Sequence, residues 1–538
     1  MVREPRFNLL DEPWVEVTTQ AGTVERLGVL ECLRRSAHLR GLGQDMSTQR
    51  FAVLRVLLAF LHRAMEGPTT AAWDRAWKEG LPQAAIDVYA ARVRDRFWLV
   101  HPSQPFFQTP TLRAAKGPET GLRKIVADLP DGEPYFTNRT VADVARMEWP
   151  EAALWLVHAQ AYDTAGIKTG AVGDPLVVAG KGYGYGLPSW AGQIGGVSAA
   201  GANLQETLLL NLIPGTSSQA DLPAWERAVT TAWRGETTED QQQVTGPVHL
   251  MTWQSRRILL EWDGDHATGL TLSQGDRITP QDPPMHPIER FTSWRYSKPQ
   301  TQKYGHPIFM PQQHEPTRQA WRGITQLLGL PREPRKGDPE VSVPVCGLIE
   351  HLAKIEMRTG NVIYTLELSG YLYGGQNATY SDLIDDSMGV PSVLLANGEA
   401  SLPWRAMVSL AVDEAEKVAY AVRRLAENLA IASGQDRPDL PEWQERCFAS
   451  LDHPIREWIT HLDIGSDRSA AHLQWREACR AVADSIADAL LGNLGLHAHA
   501  GHASGQDSDP ITPALAYAWF QSTLVKVLGP RPTTKEGT

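Results

Sequence analysis

From about residue 400 onward, apolar residues recur at steps of three and four through four successive stretches, which commits this part of the chain to packed helices. The first stretch runs from Trp404 to about Ala432, with Val408, Ala411, Ala415, Val418, Val422, Leu425 and Leu429 in phase; Gly434 and Pro438 end it. The second spans Pro441 to Leu462, where Pro454 is placed to kink or split it. The third covers about Asp467 to Leu494, with Leu473, Val482, Ile486, Ala489 and Leu490 as its apolar set. The fourth runs from Pro513 to Leu528 and carries Leu515, Trp519, Leu524 and Val527. Count and lengths fit an up-down four-helix bundle.

The preceding residues have a different texture. Trp14–Thr18 alternates like a strand, and Ser47 is placed to cap a helix with Phe51, Leu54, Leu58 and Leu61 on one face. Leu81-Pro82 precedes a helical stretch through Val88 and Val93, and a helix is predicted from Thr140 past Trp155. Val248–Trp262 reads as two strands joined near Gln254-Ser255, and Val362–Leu368 as a strand leading into Gly370. Long Pro-rich loops cover 280–311 and 331–344. No internal repeat is present. The expected fold is α+β: a large, irregular mixed α/β domain over 1–395, then the helical bundle over 396–538.

With 538 residues and a net charge of -11, the chain is not one that coats nucleic acid by bulk charge. Local basic patches remain compatible with that balance. Cys32, Cys346, Cys447 and Cys479 are too scattered for a disulfide framework or a zinc ribbon and read as buried free thiols. No secretory signal is evident, and the apolar run Phe51–Leu61 is interrupted by Arg55 and too short to span a bilayer. A cytoplasmic protein is expected.

Chemistry concentrates in a few loops. Gly180-Lys181-Gly182-Tyr183-Gly184-Tyr185-Gly186 places glycine at every second position, which bares one face of an extended segment. Such a segment can enter a nucleic-acid groove, cradle a phosphate or make a tight turn. No Gly-Lys-Ser/Thr closes it into a helix, which argues against a Walker A loop. Gly374-Gly375-Gln376-Asn377 puts a polar tip after a predicted strand, suited either to an ordinary hairpin turn or to a side chain pushed between base pairs. Arg290, Arg295, Lys298 and Lys303 are interleaved with Phe291, Trp294, Tyr296 and Tyr304, a basic-aromatic run suited to nucleic acid or to a solvated loop. Tyr135-Phe136-Thr137-Asn138-Arg139 offers aromatics that can stack on a base, or pack in a core, with a cation for phosphate. No catalytic pattern occurs: Gly-x-Ser-x-Gly and His-Glu-x-x-His are missing, and His497, His499 and His502 lie in a Gly/Ala/Ser-rich loop without a fixed carboxylate or thiol partner. A metal-dependent nuclease or hydrolase with a helical accessory domain is the alternative from another class, and a pure protein-interaction scaffold is a third.

Several blocks, in order, resemble the large subunit (CasA family) of the type I-E CRISPR Cascade complex. They are Phe7–Trp14; Phe97–His101 with Gln104–Thr109; and Gly246-Pro247-Val248 with Trp253-Gln254 and Ile258–Asp263. The resemblance covers nearly the whole chain. It implies a non-catalytic subunit of an RNA-guided antiviral surveillance complex. Such a subunit reads the protospacer-adjacent motif of duplex DNA from the minor groove, helps start strand separation for R-loop formation and recruits a helicase-nuclease. It further implies Gly180, Lys181, Gly182, Tyr183 and Gly184 as the motif-reading loop. Gln376, with Asn377, is then the strand-separating wedge, and Lys298 or Arg295 the basic finger. Tyr135, Phe136, Asn138 and Arg139 fall where the family contacts the guide RNA handle or the adjoining subunit. Guide RNA, other Cascade subunits, target DNA and the nuclease are the implied partners; no cofactor is implied. Paired cysteines of some family members are missing near Arg146-Met147 and over Asp263–Thr271, so no zinc is expected.

Overall fold

The computed structural model describes residues 4–117, 120–129, 137–184, 186–216, 218–234, 243–281, 284–330, 343–359, 362–396, 398–503 and 509–531. Two compact units emerge. The first comprises Met1–Arg318, Glu333–Leu352 and Tyr364–Ser387; the second comprises Gln319–Arg332, Ala353–Ile363 and Met388–Thr538. Helices and small two- and three-stranded sheets are mixed along the chain, with long helices gathered at its C-terminal end, as the α+β reading expects.

In the first unit the helix Ser47–Ala64 runs through the core, packed by the helices Gln83–Val93, Trp149–Tyr162, Leu204–Asn211 and Pro247–Met251. It is buried nearly all round, not on one face as the spacing of Phe51, Leu54, Leu58 and Leu61 predicts. Arg55, the cation that interrupts its apolar run, is buried against Glu289 at 3.1 Å. Glu289 also accepts the Trp190 indole N–H at 2.7 Å, so the buried charge is hydrogen-bonded as well as paired. Ser47 does not cap the helix. It is the first helical residue, and its hydroxyl donates to the Ile384 carbonyl at 2.6 Å.

Two other expectations are corrected. The helix predicted from Thr140 begins at Trp149 instead, because Asp143 accepts from the Thr140 N–H and hydroxyl in a turn. Pro150 then fits the helix's first turn, where no N–H is needed. The first half of the supposed strand pair over 248–262 is the short helix Pro247–Met251. The Asp221 carboxylate accepts from the Val248 and His249 N–H groups and holds that start. The true hairpin is Arg256–Asp263 with His266–Gln274, turning at Gly264.

In the second unit the helix Leu402–Ala432 packs against each of Pro441–Thr460, Arg468–Gly492 and Pro513–Leu528. Its predicted apolar residues are all buried. Pro454 neither splits nor ends its helix, which continues to Thr460. The buried faces of the last two helices differ from the predicted sets: Trp475, Cys479, Ala483 and Ala487 in one; Ala516, Phe520, Leu524 and Leu528 in the other. Leu473, Leu515 and Trp519 are exposed instead. Small residues at a four-residue step let these helices approach closely, a signal that weighting by hydrophobicity overlooks. The segment around Trp321 also belongs here: its indole donates to Asp452 at 3.0 Å, and Arg322 pairs with Glu416 at 3.0 Å.

Candidate nucleic-acid interface

The glycine segment is the middle strand of a small antiparallel sheet. Lys181–Gly182 lies between Lys168–Thr169 and Val177–Val178. Ala179 and Gly180, at φ 52 and 77, make the tight return into it. Gly182 is buried, and a Cβ there would lie 3.1 Å from the Thr169 carbonyl oxygen. At Gly184 a Cβ would lie 2.7 Å from the Gln274 side-chain amide. The bare face is therefore turned onto the protein, and Lys181 and Tyr183 point outward from the opposite face. The sheet's own close packing uses the bare face.

Buried charges hold the segment in place. Arg234 reaches the Tyr183 carbonyl at 3.1 Å while pairing with Asp174 at 2.8 Å, both side chains at 1% exposure or less. Beneath the sheet, Asp163 binds Lys168 at 2.8 Å and Arg256 at 2.5 Å. Burial opposes ionisation of Asp163, but the Lys168 ammonium and Arg256 guanidinium outweigh it and hold its carboxyl below the usual range. Burial pulls the Lys168 ammonium down, partly offset by Asp163.

Gln376 lies at the turn between the strands Ile363–Tyr373 and Tyr380–Pro391 and is exposed. Gln376 and Asn377 both occupy the left-handed region, at φ 56 and 55. Neither is glycine, so the turn carries backbone strain that its surroundings sustain. Asn377 is tied down twice: its carbonyl accepts from the Ala165 N–H at 2.7 Å, and its side-chain amide donates to the Gly186 carbonyl at 3.2 Å. The Tyr373 and Tyr380 hydroxyls both reach the Tyr162 carbonyl, at 2.6 and 3.3 Å. The segment 162–169 thus anchors both the glycine sheet and the Gln376 turn.

The basic run forms a hairpin, Trp294–Tyr296 with Phe309–Pro311, whose tip carries the short helix Lys298–Tyr304. Arg295 and Lys298 are exposed; Phe291 and Trp294 are core. Lys303 lies over the Tyr304 ring at 5.3 Å. Beyond the hairpin, His314 meets the Gly196 carbonyl at 2.9 Å and Gln313 donates to that of Gly192 at 3.1 Å.

The family model for CRISPR-associated protein Cse1 matches residues 8–486. The chain belongs to the Cse1 family. A crystal structure of Thermobifida fusca Cse1 is similar over 97% of this chain and 98% of that one, at 36% identity and a TM-score of 0.89. CasA/Cse1 of Thermus thermophilus is 27% identical over 508 residues, 89% of this chain and 91% of the relative. A chain of a solved CRISPR RNA-guided surveillance complex, at 18% identity, shares the fold over 97% of this chain and 100% of its own, with a TM-score of 0.67.

Within this Cse1 fold, Tyr135 and Phe136 lie outside the described residues. Asn138 and Arg139 are described, and Arg139 pairs with Glu151 at 2.6 Å. Arg139 also lines a cavity of about 270 Å³ with Trp14, Arg26, Asp128 and Glu151. Burial raises the Asp128 carboxyl there, against the pull of Arg139. Among the described residues, no three His, Cys, Asp or Glu side chains are grouped to hold a metal ion. None of their helices is long and apolar enough to cross a membrane. Sequence reasoning missed Asp163, Asp174, Arg234 and Arg256, whose importance lies in partners tens of residues away. The one available signal was a charged residue in an otherwise apolar strand, as at Arg256-Arg257 before Ile258.

Proposed function

We propose that this Cse1-family chain is the non-catalytic, cytoplasmic subunit of a Cascade surveillance complex that recognises the protospacer-adjacent motif in duplex DNA through the minor groove. Gly180–Gly184 is the motif-reading segment, acting through Lys181 and Tyr183. Gln376 is the wedge that starts strand separation, and Lys298 or Arg295 is the basic finger. The observation that carries the reading is the Asn377–Gly186 hydrogen bond, because a reader and a wedge must work on adjacent base steps. Guide RNA and other Cascade subunits are the partners, with the segment 135–139 at that contact; the fold shared with a chain of an RNA-guided surveillance complex supports them. The C-terminal helices dock the helicase-nuclease, for which the exposed Leu515, Trp519 and Val525 are a suitable apolar surface.

The test is equilibrium binding of the assembled complex to motif-bearing and motif-scrambled duplexes. Gly182→Asp, which forces bulk against Thr169, and Lys181→Glu, which reverses an exposed charge without disturbing the core, should each abolish motif-dependent binding. Unchanged discrimination in both variants would refute the assignment.

A further inference from the structure

The outward face of the glycine sheet has a composition that the motif-reading role does not explain. Register pairs Thr169, Lys181 and Val178 across the three strands on one face, and Lys168, Gly182 and Val177 on the other. The second face is the inner one, since Gly182 is buried and Lys168 is drawn down onto Asp163. The period of two along a strand adds Ile167 and Tyr183 to the outer face. Val178, Ile167 and Tyr183 are 61%, 58% and 46% exposed, large apolar surfaces gathered around one lysine. Lys116 is exposed beside Gly180, its Cβ 2.6 Å from where a Cβ on Gly180 would be, and Arg113, also exposed, accepts the Val172 N–H at its carbonyl. Neither these two nor Lys181 pairs with an acid among the described residues, and the nearby Asp163 and Asp174 are buried and already neutralised. In a chain of net charge -11, this is an apolar face with a cationic rim.

We propose that this face is a groove-wall contact for duplex DNA, in which Val178 and Ile167 rest on deoxyribose while Lys181 and Tyr183 on the middle strand face the floor. The inference rests on the DNA-reading assignment above. Strands lie about 4.8 Å apart, so the two flanking strands are separated by roughly 10 Å. The minor groove is only about 6 Å wide. The middle strand can project into it, and the flanking strands must come down on its two walls. Those walls are sugar C–H surfaces bordered by phosphates, which match apolar side chains with Lys181 among them and Lys116 at the Gly180 end. Sugars are the same at every step, so this contact adds affinity and no sequence preference.

The experiment uses the assembled complex carrying Val178→Ser and Ile167→Ser, singly and together, with Val178→Thr to retain the β-branched shape. Binding to motif-bearing and motif-scrambled duplexes is measured at one salt concentration. The double variant should weaken both by a similar factor, on the order of tenfold, leaving their ratio unchanged; Val178→Thr should lose less. Unchanged affinity for both duplexes overturns the wall contact. So does a loss confined to the motif-bearing duplex, or a failure of the subunit to join the complex, which would mark the face as a protein interface. If these variants bind normally while Gly182→Asp and Lys181→Glu lose discrimination, the wall contact alone fails. If all of these variants, Gly182→Asp and Lys181→Glu included, bind and discriminate normally, the DNA-reading assignment fails with it.

Discussion

The side-chain amide of Asn377 donates to the backbone carbonyl of Gly186 at 3.2 Å, joining two loops 191 residues apart in sequence. Together with the Ala165–Asn377 backbone bond, it makes the Gln376 turn and the glycine segment parts of one surface. Asn377→Gly tests this link, because glycine accepts φ 55 and lacks the amide that makes it. Stability should change by no more than about 1 kcal/mol. Strand opening, followed with a fluorescent base beside the motif, should slow. Normal opening would show that the tether has no mechanical role.

Gln376→Ala should leave initial motif binding intact and slow strand opening, because the exposed amide is lost and the fold is not. Equal opening rates for variant and parent would remove Gln376 from the wedge role.

The Asp174–Arg234 pair should matter more to stability than any surface pair. Asp174→Ala leaves a buried guanidinium without its counter-charge, which costs about 3–5 kcal/mol. Glu16→Ala, at the exposed Arg26–Glu16 pair of 2.8 Å, should cost about 1 kcal/mol or less. Denaturant unfolding of the two variants checks the contrast. Asp174→Ala should also weaken motif binding, since Arg234 positions the Tyr183 carbonyl.

Acid should destabilise the first unit through buried histidines. Burial pushes His158 and His249 down to about 3 and His62 to about 4. The unfolded chain takes up protons as pH falls through about 6.5 while the folded chain does not. Their contribution is therefore full above that value and is lost progressively below it, by about 2 kcal/mol for His158 at pH 5. His158 lies beside Thr48 and Tyr371, so His158→Phe should reduce the pH slope measured by urea unfolding between pH 7.5 and 5. An unaltered slope would contradict the assignment.

All four cysteines are buried and free, as their spacing predicts. Burial raises the Cys346 and Cys447 thiols to about 12. A thiol-exchange reagent should find none of the four in the native protein and all of them in denaturant. Rapid native reaction at any one would mean that its surroundings open readily.

Elements with a local code were legible. The periodicity of Leu402–Ala432 is written in its own residues, and the Asp467 cap and Pro513 start follow from capping and ring chemistry that act within one turn. The strand leading to the Gln376 turn alternates visibly, and its Gly-Gly marks the tip. Less legible was whether a given apolar residue faces core or solvent. Leu515 and Trp519 are exposed because the neighbouring helices meet the Ala516–Phe520 side, a choice made by partners and not by hydrophobicity.

The sequence by itself determined the family, the mixed α/β body, the helical C-terminal part and the positions of the polar loops. These rest on covalent geometry, periodicity and local hydrogen bonding. Only the tertiary structure decided which face of Gly180–Gly184 is outward and that the Gln376 turn lies beside it. Both depend on pairings of Lys168 with Gly182, Asp163 with Arg256 and Asn377 with Gly186, between residues that have no preference for one another until the chain is folded.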